Sequence, residues 1–352
     1  MADRTSIEWA HATVNAISGC SVISPGCKNC YAMRAGVHNR PHHPSRGLTQ
    51  QGAHGQHVWT GGVRLNEDWL KRPLTWAKPR RIFWNAHGDP FHPAVPQEWV
   101  DRELAIAALT SQHRHLILTK RSDRMRRFFE NNHLAERVLG WCRYFGFLPD
   151  SAKWQWPLPN VWLGVSVEDQ KRADERIPDL LATPAALRWL SCEPLLEPID
   201  VRDYTWPVCK SMPGKYRTWE EAAAAGELSY KRQALVAASA TFIEWIVAGG
   251  ESGPGARPVH PDAFTTLRDQ CDNAGVPFLF KQWGEWIGRA HLTEAQKLQL
   301  KGKQFHAKTE SVRLGRNEAG RLLDGRRHDA YPELFNWELE ARKKPAAREL
   351  AA

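Results

Sequence analysis

The chain has 352 residues, enough to bury one large core with insertions or to form two domains. Its 48 Lys and Arg against 39 Asp and Glu leave a formal charge of +9, which favours an anionic partner such as nucleic acid. No apolar run is long enough to span a bilayer. The polar opening Met1 to Ser6 lacks a signal-like apolar stretch, and seven cysteines without one argue against a secreted disulfide framework. A cytoplasmic protein with no membrane partner is expected.

In chain order, Thr5 to Ile17 reads as short extended pieces leading into a Gly/Pro/Ser loop from Ser18 to Ala32. That loop carries Cys20, Cys27 and Cys30 in a C-x6-C-x2-C pattern. A loop so punctuated can fold three sulfurs round one centre, and grouped thiolates bind a soft metal, either zinc or iron–sulfur. Structural zinc usually takes four protein ligands, whereas a cube held by three cysteines keeps one iron free for an outside ligand. Packing explains the loop poorly, because three of the seven cysteines fall within eleven positions of a loop and not on one face of a helix or strand. A zinc knuckle completed by His11 or a distant cysteine is the alternative, and spacing alone does not decide between them.

Residues 31–62 are rich in His, Gly and Pro, with His42, His43, His54 and His57. They read as an irregular solvated loop, with a second metal site as the alternative. Asn66 to Trp76 is amphipathic and predicted helical. From there an apolar run, a turn and a helical pattern recur. Strands are predicted at Arg81–Ala86, His115–Thr119, Asn160–Ser166, Leu187–Ser191, Phe242–Ala248 and Val276–Phe280. Helices are predicted at about Pro96–Gln112, Ser122–Val138, Gln170–Leu181 and Asp262–Ala274.

Continuous apolar strands alternating with helices mean a parallel sheet covered on both faces. With an early strand beside the cysteine loop, the fold class expected is α/β: a TIM-like (βα) barrel, complete or partial, in preference to an open doubly wound sheet. Polar residues cluster just past the strand ends: Asn85 and Asp89, Lys120 and Arg121, Ser166 and Glu168, Glu193, Glu251, and Lys281. In parallel α/β folds those ends share the active-site face, although loops are polar in any case.

Two segments break the rhythm and read as insertions. Residues 139–159 carry Trp141, Trp154 and Trp156, and residues 203–240 carry Trp206, Lys210, Lys215, Arg217 and Trp219. Interleaved aromatic and basic side chains suit single-stranded or flipped bases, and a lid or a packed insertion explains them equally well. The 17 tryptophans exceed what base stacking would use, so core packing is the default for most. Residues 1–290 are read as the barrel unit and 291–352 as a basic C-terminal appendage and tail.

Several stretches carry a family likeness. They are Ile7 to Thr13, Gly19 to Ala32, Leu118 to Arg121, Trp162 to Glu168, Ser191 to Leu196, Gly249 to Gly253, Ala256 to Pro258, Phe280 to Gly284 and Gly320 to Gly325. The chain resembles, over nearly its whole length, a phage- and prophage-borne family of unknown function and radical-SAM-like character, first named from mycobacteriophage proteins. The resemblance implies a radical S-adenosylmethionine (SAM) barrel in which Cys20, Cys27 and Cys30 hold a [4Fe–4S] cluster and an electron donor serves it. Reduction of the cluster would cleave SAM to a 5′-deoxyadenosyl radical that takes hydrogen from a substrate.

Two departures qualify the likeness. The first cysteine gap is six where three is commonest, and Tyr31 follows the last cysteine where an aromatic residue usually precedes it. A Gly-Gly-Glu stretch, expected early, appears only at Gly249 to Glu251, so Asn85 to Asp89 fills that place.

On this reading Lys120 or Arg121 pairs the SAM carboxylate, Asp89 takes its ammonium group, and Ser166 and Glu168 hydrogen-bond the ribose. Tyr31 and Glu251 complete the cofactor candidates. Cys192 is a candidate hydrogen-atom donor, with an inert buried thiol as the bland reading. Glu193, Glu251 and Lys281 are candidates for substrate contacts or for structural ion pairs at the rim. The substrate favoured is nucleic acid, through base modification or lesion repair. The alternatives are a radical enzyme acting on a small molecule or peptide, and a non-catalytic zinc- or cluster-stabilised nucleic-acid-binding protein.

Overall fold

The computed structural model describes residues 5–34, 43, 45–53, 55–148, 154–205 and 241–332. Of the features named above, His42, His54, Trp206, Lys210, Lys215, Arg217, Trp219 and the tail from residue 333 lie outside the described residues.

The chain opens with β1 (Ala12–Val14) and β2 (Ile17–Ser18), followed by the cysteine loop and a short helix, α1 (Tyr31–Arg34). A hairpin of β3 (Thr49–Gln51) and β4 (His57–Trp59) follows, and then β5 (Arg64–Leu65) pairs back antiparallel with β2. The helix expected over Asn66–Trp76 is broken. α2 spans only Glu67–Leu70, and Arg72–Thr75 turns on as a 3₁₀ helix, because Pro73 has no N–H to continue the α-helical ladder.

The main sheet adds β6 (Arg81–Trp84), β7 (Arg114–Thr119), β8 (Val161–Ser166), β9 (Leu187–Cys192), β10 (Trp245–Gly249) and β11 (Phe278–Gln282). With β1 it forms a seven-stranded, all-parallel sheet in the order β1-β6-β7-β8-β9-β10-β11. The order follows the chain without reversal. Right-handed crossovers then put the described connecting helices on one face. That convex face packs against α3 (Gln97–Leu109), α4 (Ser122–Phe129), α6 (Gln170–Ala182) and α7 (Asp262–Ala274). The sheet curls into a half-barrel whose edges are β1 and β11.

One long helix expected over Ser122–Val138 is two. α4 ends at Phe129 and α5 (Leu134–Tyr144) begins after Asn131, whose side chain accepts the His133 N–H at 2.9 Å and so competes with helical bonding.

Among the described residues no helix covers the concave face, and aromatic rings fill it. Alternate residues point inward, giving a row Phe83, Leu116, Trp162, Leu187 and, one step toward the mouth, Leu118, Gly164, Trp189, Trp245. Trp9 lies across them, with ring centroids 4.7 Å from Phe83 and 5.1 Å from Trp189. One ring touching β6 and β9 together is possible because the sheet curls. Gly164 makes the room: a Cβ there would stand 2.4 Å from the Trp189 ring.

The C-terminal segment spans the side that the strands leave open. Phe280 N–H donates to His328 O, Ala330 N–H donates to Phe278 O, and Leu279 bridges Asp329. Beyond them Tyr331 lies 5.5 Å from the Trp245 ring, holds the Arg81 guanidinium over its face at 4.7 Å, and donates its hydroxyl to Glu8 O. A small antiparallel sheet of β12 (Trp286–Gly288), β14 (Ser311–Arg313) and β13 (Gln304–His306) joins residues on both sides of position 290.

The three tryptophans of the 139–159 segment pack on the core, while Tyr144 and Phe147 are exposed. Trp141 lies within α5, and Trp154 and Trp156 stack on each other at 6.1 Å against the core.

Candidate metal and cofactor site

At the C-terminal ends of the strands lies a cavity of about 330 Å³. The inward-pointing rows lead directly into it. Two positions beyond Phe83 stands Asn85, beyond Leu118 Lys120, beyond Gly164 Ser166, beyond Trp189 and Ser191 Glu193, beyond Gly249 Glu251, and beyond Leu279 Lys281; all line the cavity. Cys20, Cys27, Cys30, Tyr31, Asp89 and Arg121 line it too, so the strand ends and the cysteine loop share one space.

The loop is tied down by the strand ends on three sides. From β7, Arg121 donates through Nη1 to Cys20 Sγ at 3.6 Å and through Nη2 to Ser21 Oγ at 2.9 Å and Ser21 O at 3.3 Å. From β8, Glu168 accepts Gly26 N–H at 3.2 Å and pairs with Arg176 at 2.9 Å. From β10, Glu251 accepts the Asn29 side chain at 3.0 Å and Arg257 Nε at 2.8 Å, while Arg257 Nη2 donates to Pro25 O. Gly26 permits the second tie, since a Cβ there would meet the Glu168 carboxyl carbon at 3.0 Å. Behind the loop, Asn85 holds a left-handed backbone (φ 59°). Its Oδ1 accepts Ile17 N–H at 2.8 Å and its Nδ2 donates to the buried Glu103 at 2.9 Å.

Electrostatics at the sulfurs is uneven. Burial, with the Asp89 carboxylate adding to it and Arg121 opposing, pushes the Cys20 thiol up to about 12. Burial also raises Cys30. These surroundings disfavour bare thiolates, and a bound cationic centre is what keeps such sulfurs deprotonated. For Glu168 burial pushes the carboxyl up, but Lys120 and Arg176 outweigh it and the net shift is down. Burial pushes Glu103 up to about 8. Among the described residues no group of three or more His, Cys, Asp or Glu is placed to hold a single metal ion. Three cysteines line one cavity beside the Arg121 guanidinium and are tied from behind, a donor set of soft thiolates.

The candidates named from sequence separate into committed and uncommitted side chains. Asp89 already accepts from Thr119, Phe91 N–H, Lys120 N–H and Arg121, so it braces the loop where an ammonium ligand was expected. Arg121 has its terminal N–H groups on Asp89, Cys20 and Ser21 and none left for a carboxylate. Glu168 and Glu251, expected to contact the ribose and the cofactor or substrate, are held by Arg176 and Arg257. Asn85 is likewise spent on Ile17 and Glu103. Glu193 pairs with Lys281 at 2.8 Å and accepts Trp9 Nε1–H at 3.1 Å at the cavity floor. Lys120 and Ser166 remain. Neither side chain has a hydrogen-bonding or ion-pair partner among the described residues, although Lys120 acts through space on Cys30 and Glu168.

Cys192 is a correction. It follows the inward-facing Ser191 on β9, so it points outward, fully buried in the helix-side core, with its thiol raised by burial. It does not line the cavity. His11 is another: it precedes β1 at the opposite end of the strand, where its Nδ1 accepts Arg81 N–H, far from any role as a fourth ligand.

Sequence reasoning missed Ser21, Asn29, His92, Thr119, Arg176 and Arg257. Ser21 and Asn29 sit inside the cysteine loop and were visible there as polar neighbours of the ligands. The other four act from a strand end, a helix and two loops that only folding brings near.

A family model described as "Protein of unknown function (DUF5131)" matches residues 4–332. No curated protein matches the chain, and no solved structure does.

Proposed function

The chain belongs to the DUF5131 family of proteins of unknown function, and from this starting point we propose that it is a radical SAM enzyme acting on nucleic acid. Cys20, Cys27 and Cys30 hold its [4Fe–4S] cluster. One observation carries the reading: the three cysteines open into the cavity at the strand mouths that also receives the uncommitted Lys120 and Ser166. When bound, cluster and SAM supply a reductively generated 5′-deoxyadenosyl radical able to abstract hydrogen.

The side chains divide the remaining work. Lys120 is the cation for the SAM carboxylate, because Arg121 is committed elsewhere. The Ser166 hydroxyl is available to a ribose. Tyr31, half exposed at the mouth and anchored by its hydroxyl on Ala86 O at 2.7 Å, offers a ring edge to the cofactor. The apolar floor of Trp9, Phe83 and Leu118 keeps water and stray hydrogen donors from the reacting atoms. Lys281, held by Glu193, presents an ammonium to the substrate. The +9 charge favours a polyanion as that substrate.

Anaerobic purification and reconstitution, followed by iron and sulfide analysis, tests the centre. Dithionite with SAM, assayed for 5′-deoxyadenosine, tests the chemistry. About four irons per chain, the content of one such cluster, with loss in Cys30→Ala and 5′-deoxyadenosine formed, is the expected result. One zinc, no iron and intact SAM would leave a metal-stapled binding protein and overturn the enzyme reading. Binding to single-stranded and duplex oligonucleotides across a salt series tests the substrate class. A salt-independent affinity removes nucleic acid.

A further inference from the structure

Arg121 sits behind the cysteine loop with its charge turned onto a sulfur. Its Nη1 donates to Asp89 Oδ2 at 2.7 Å and to Cys20 Sγ at 3.6 Å, and its Nη2 donates to Ser21 Oγ and Ser21 O. Each partner is itself fixed. Asp89 Oδ1 accepts Thr119 Oγ1–H at 2.7 Å and Phe91 N–H at 2.9 Å. Ser21 Oγ meets His92 Nε2 at 2.9 Å; Ala94 N–H donates to Nδ1 of that ring, which leaves Nε2 carrying the proton that Ser21 accepts. The guanidinium is therefore held from three sides and nearly removed from water, with 7% of the residue exposed. In such surroundings a fixed charge acts far more strongly than it would at the surface.

Resting on the reading of the three cysteines as an iron–sulfur site, we propose that Arg121 is a positioning residue that sets the reduction potential of the centre through Cys20, with Asp89 as its counterweight. One-electron reduction adds negative charge to the cluster and its thiolates. An N–H donor on a ligand sulfur and a nearby positive charge both stabilise the reduced form more than the oxidised form, and so raise the potential. The Asp89 carboxylate offsets part of that charge and lowers it. The two residues act with opposite sign at one sulfur. Nonspecific loosening of the loop would not produce that pattern.

The test is a potentiometric titration of the reconstituted full-length chain, followed by electron paramagnetic resonance. The electron comes from dithionite, which is oxidised to sulfite. Arg121→Gln is expected to move the midpoint to a more negative potential and Asp89→Asn to a more positive one, with Arg121→Lys between wild type and Arg121→Gln. Iron content is measured on each variant. If Arg121→Gln fails to hold iron, Arg121→Lys and Asp89→Asn carry the comparison. Potentials that stay put, or that move in the same direction in the Arg121 and Asp89 variants, overturn the assignment while leaving an iron–sulfur protein. A wild-type chain that takes up no iron removes the proposed function itself.

Discussion

The Glu168 carboxylate accepts the Gly26 N–H at 3.2 Å, tying the end of β8 to the middle of the cysteine loop across 142 positions of sequence. Its other oxygen is held by Arg176, and both side chains are nearly inaccessible to water. Removing one partner of a buried pair leaves the other uncompensated, a cost of about 3–5 kcal/mol. Glu168→Ala is therefore expected to lower the thermal midpoint of the metal-free chain and to cut its iron content after reconstitution. Scanning calorimetry and iron analysis on the same preparation check both effects. Normal iron loading would show that the tie does not shape the loop.

Lys120→Ala separates cofactor binding from the metal. The lysine has no bonded partner among the described residues, so iron content should stay near wild type and the melting temperature should fall only by the loss of its through-space pull on Glu168. SAM affinity should fall about 10- to 150-fold, the equivalent of a hydrogen bond to a charged group at about 1.5–3 kcal/mol. Equilibrium dialysis with labelled SAM measures this directly. Unchanged affinity would return the carboxylate to another residue.

Gly164→Ala tests the aromatic packing under the cavity. The added methyl would overlap the Trp189 ring, at 2.4 Å, in a layer where neighbouring rings leave no space to retreat. Overpacking of this kind costs about 1–3 kcal/mol, read as a shift in the urea midpoint with an unchanged slope.

Glu103 gives a pH signature. Burial raises its carboxyl to about 8, and the Asn85 amide opposes only part of that shift. The folded chain thus keeps a proton that the unfolded chain releases above its ordinary value near 4.5. This contribution to stability is fully present below about 4.5 and is lost as the pH rises through about 8. Glu103→Gln cannot ionise, so its stability should fall less between those limits than wild type does, as followed by denaturant titration at several pH values. Parallel pH profiles for the two proteins would place the ionisation elsewhere.

The histidines beneath the sheet act at the other end of the scale. Burial lowers His113 to about 4 and lowers His115 as well, where Trp84 Nε1–H donates to His115 Nδ1 at 2.9 Å. Both are neutral in the fold, so the unfolded chain binds protons first as the pH drops below 6.5. Their share of stability is present above 6.5 and is lost toward pH 4. His115→Gln should flatten the acid limb of the stability curve, even if it lowers stability at neutral pH.

The strands and their order were legible because each is a short apolar run with polar residues just past its end. The face each residue takes was harder to read. Both faces of the sheet are apolar, so the alternation that separates Trp162 from Leu163 leaves no polar mark in the sequence. Ser191 and Cys192 show the cost: adjacent at one strand end, one enters the cavity and the other is buried among helices. The cysteine loop was legible from spacing alone. The commitments of Asp89, Arg121, Glu168 and Glu251 were not, since nothing in the sequence pairs them with Thr119, Ser21, Arg176 and Arg257, which only folding brings near. A charged residue past a strand end reads the same whether it holds the loop or faces the cavity.

Tyr331 lies 250 positions after Arg81, yet the two rest against each other over the unclosed side of the half-barrel. Synthesis runs in one direction, so β1 through β11 leave the ribosome before the segment that covers them. During that interval the tryptophan-lined hollow has neither its C-terminal cover nor the hydrogen bonds along β11. A nascent chain in that condition exposes a large aromatic surface and an unpaired strand edge, the combination most prone to sticking to other chains. The aromatic hollow therefore waits for residues 328–331 before its C-terminal cover and the bonds along β11 can form.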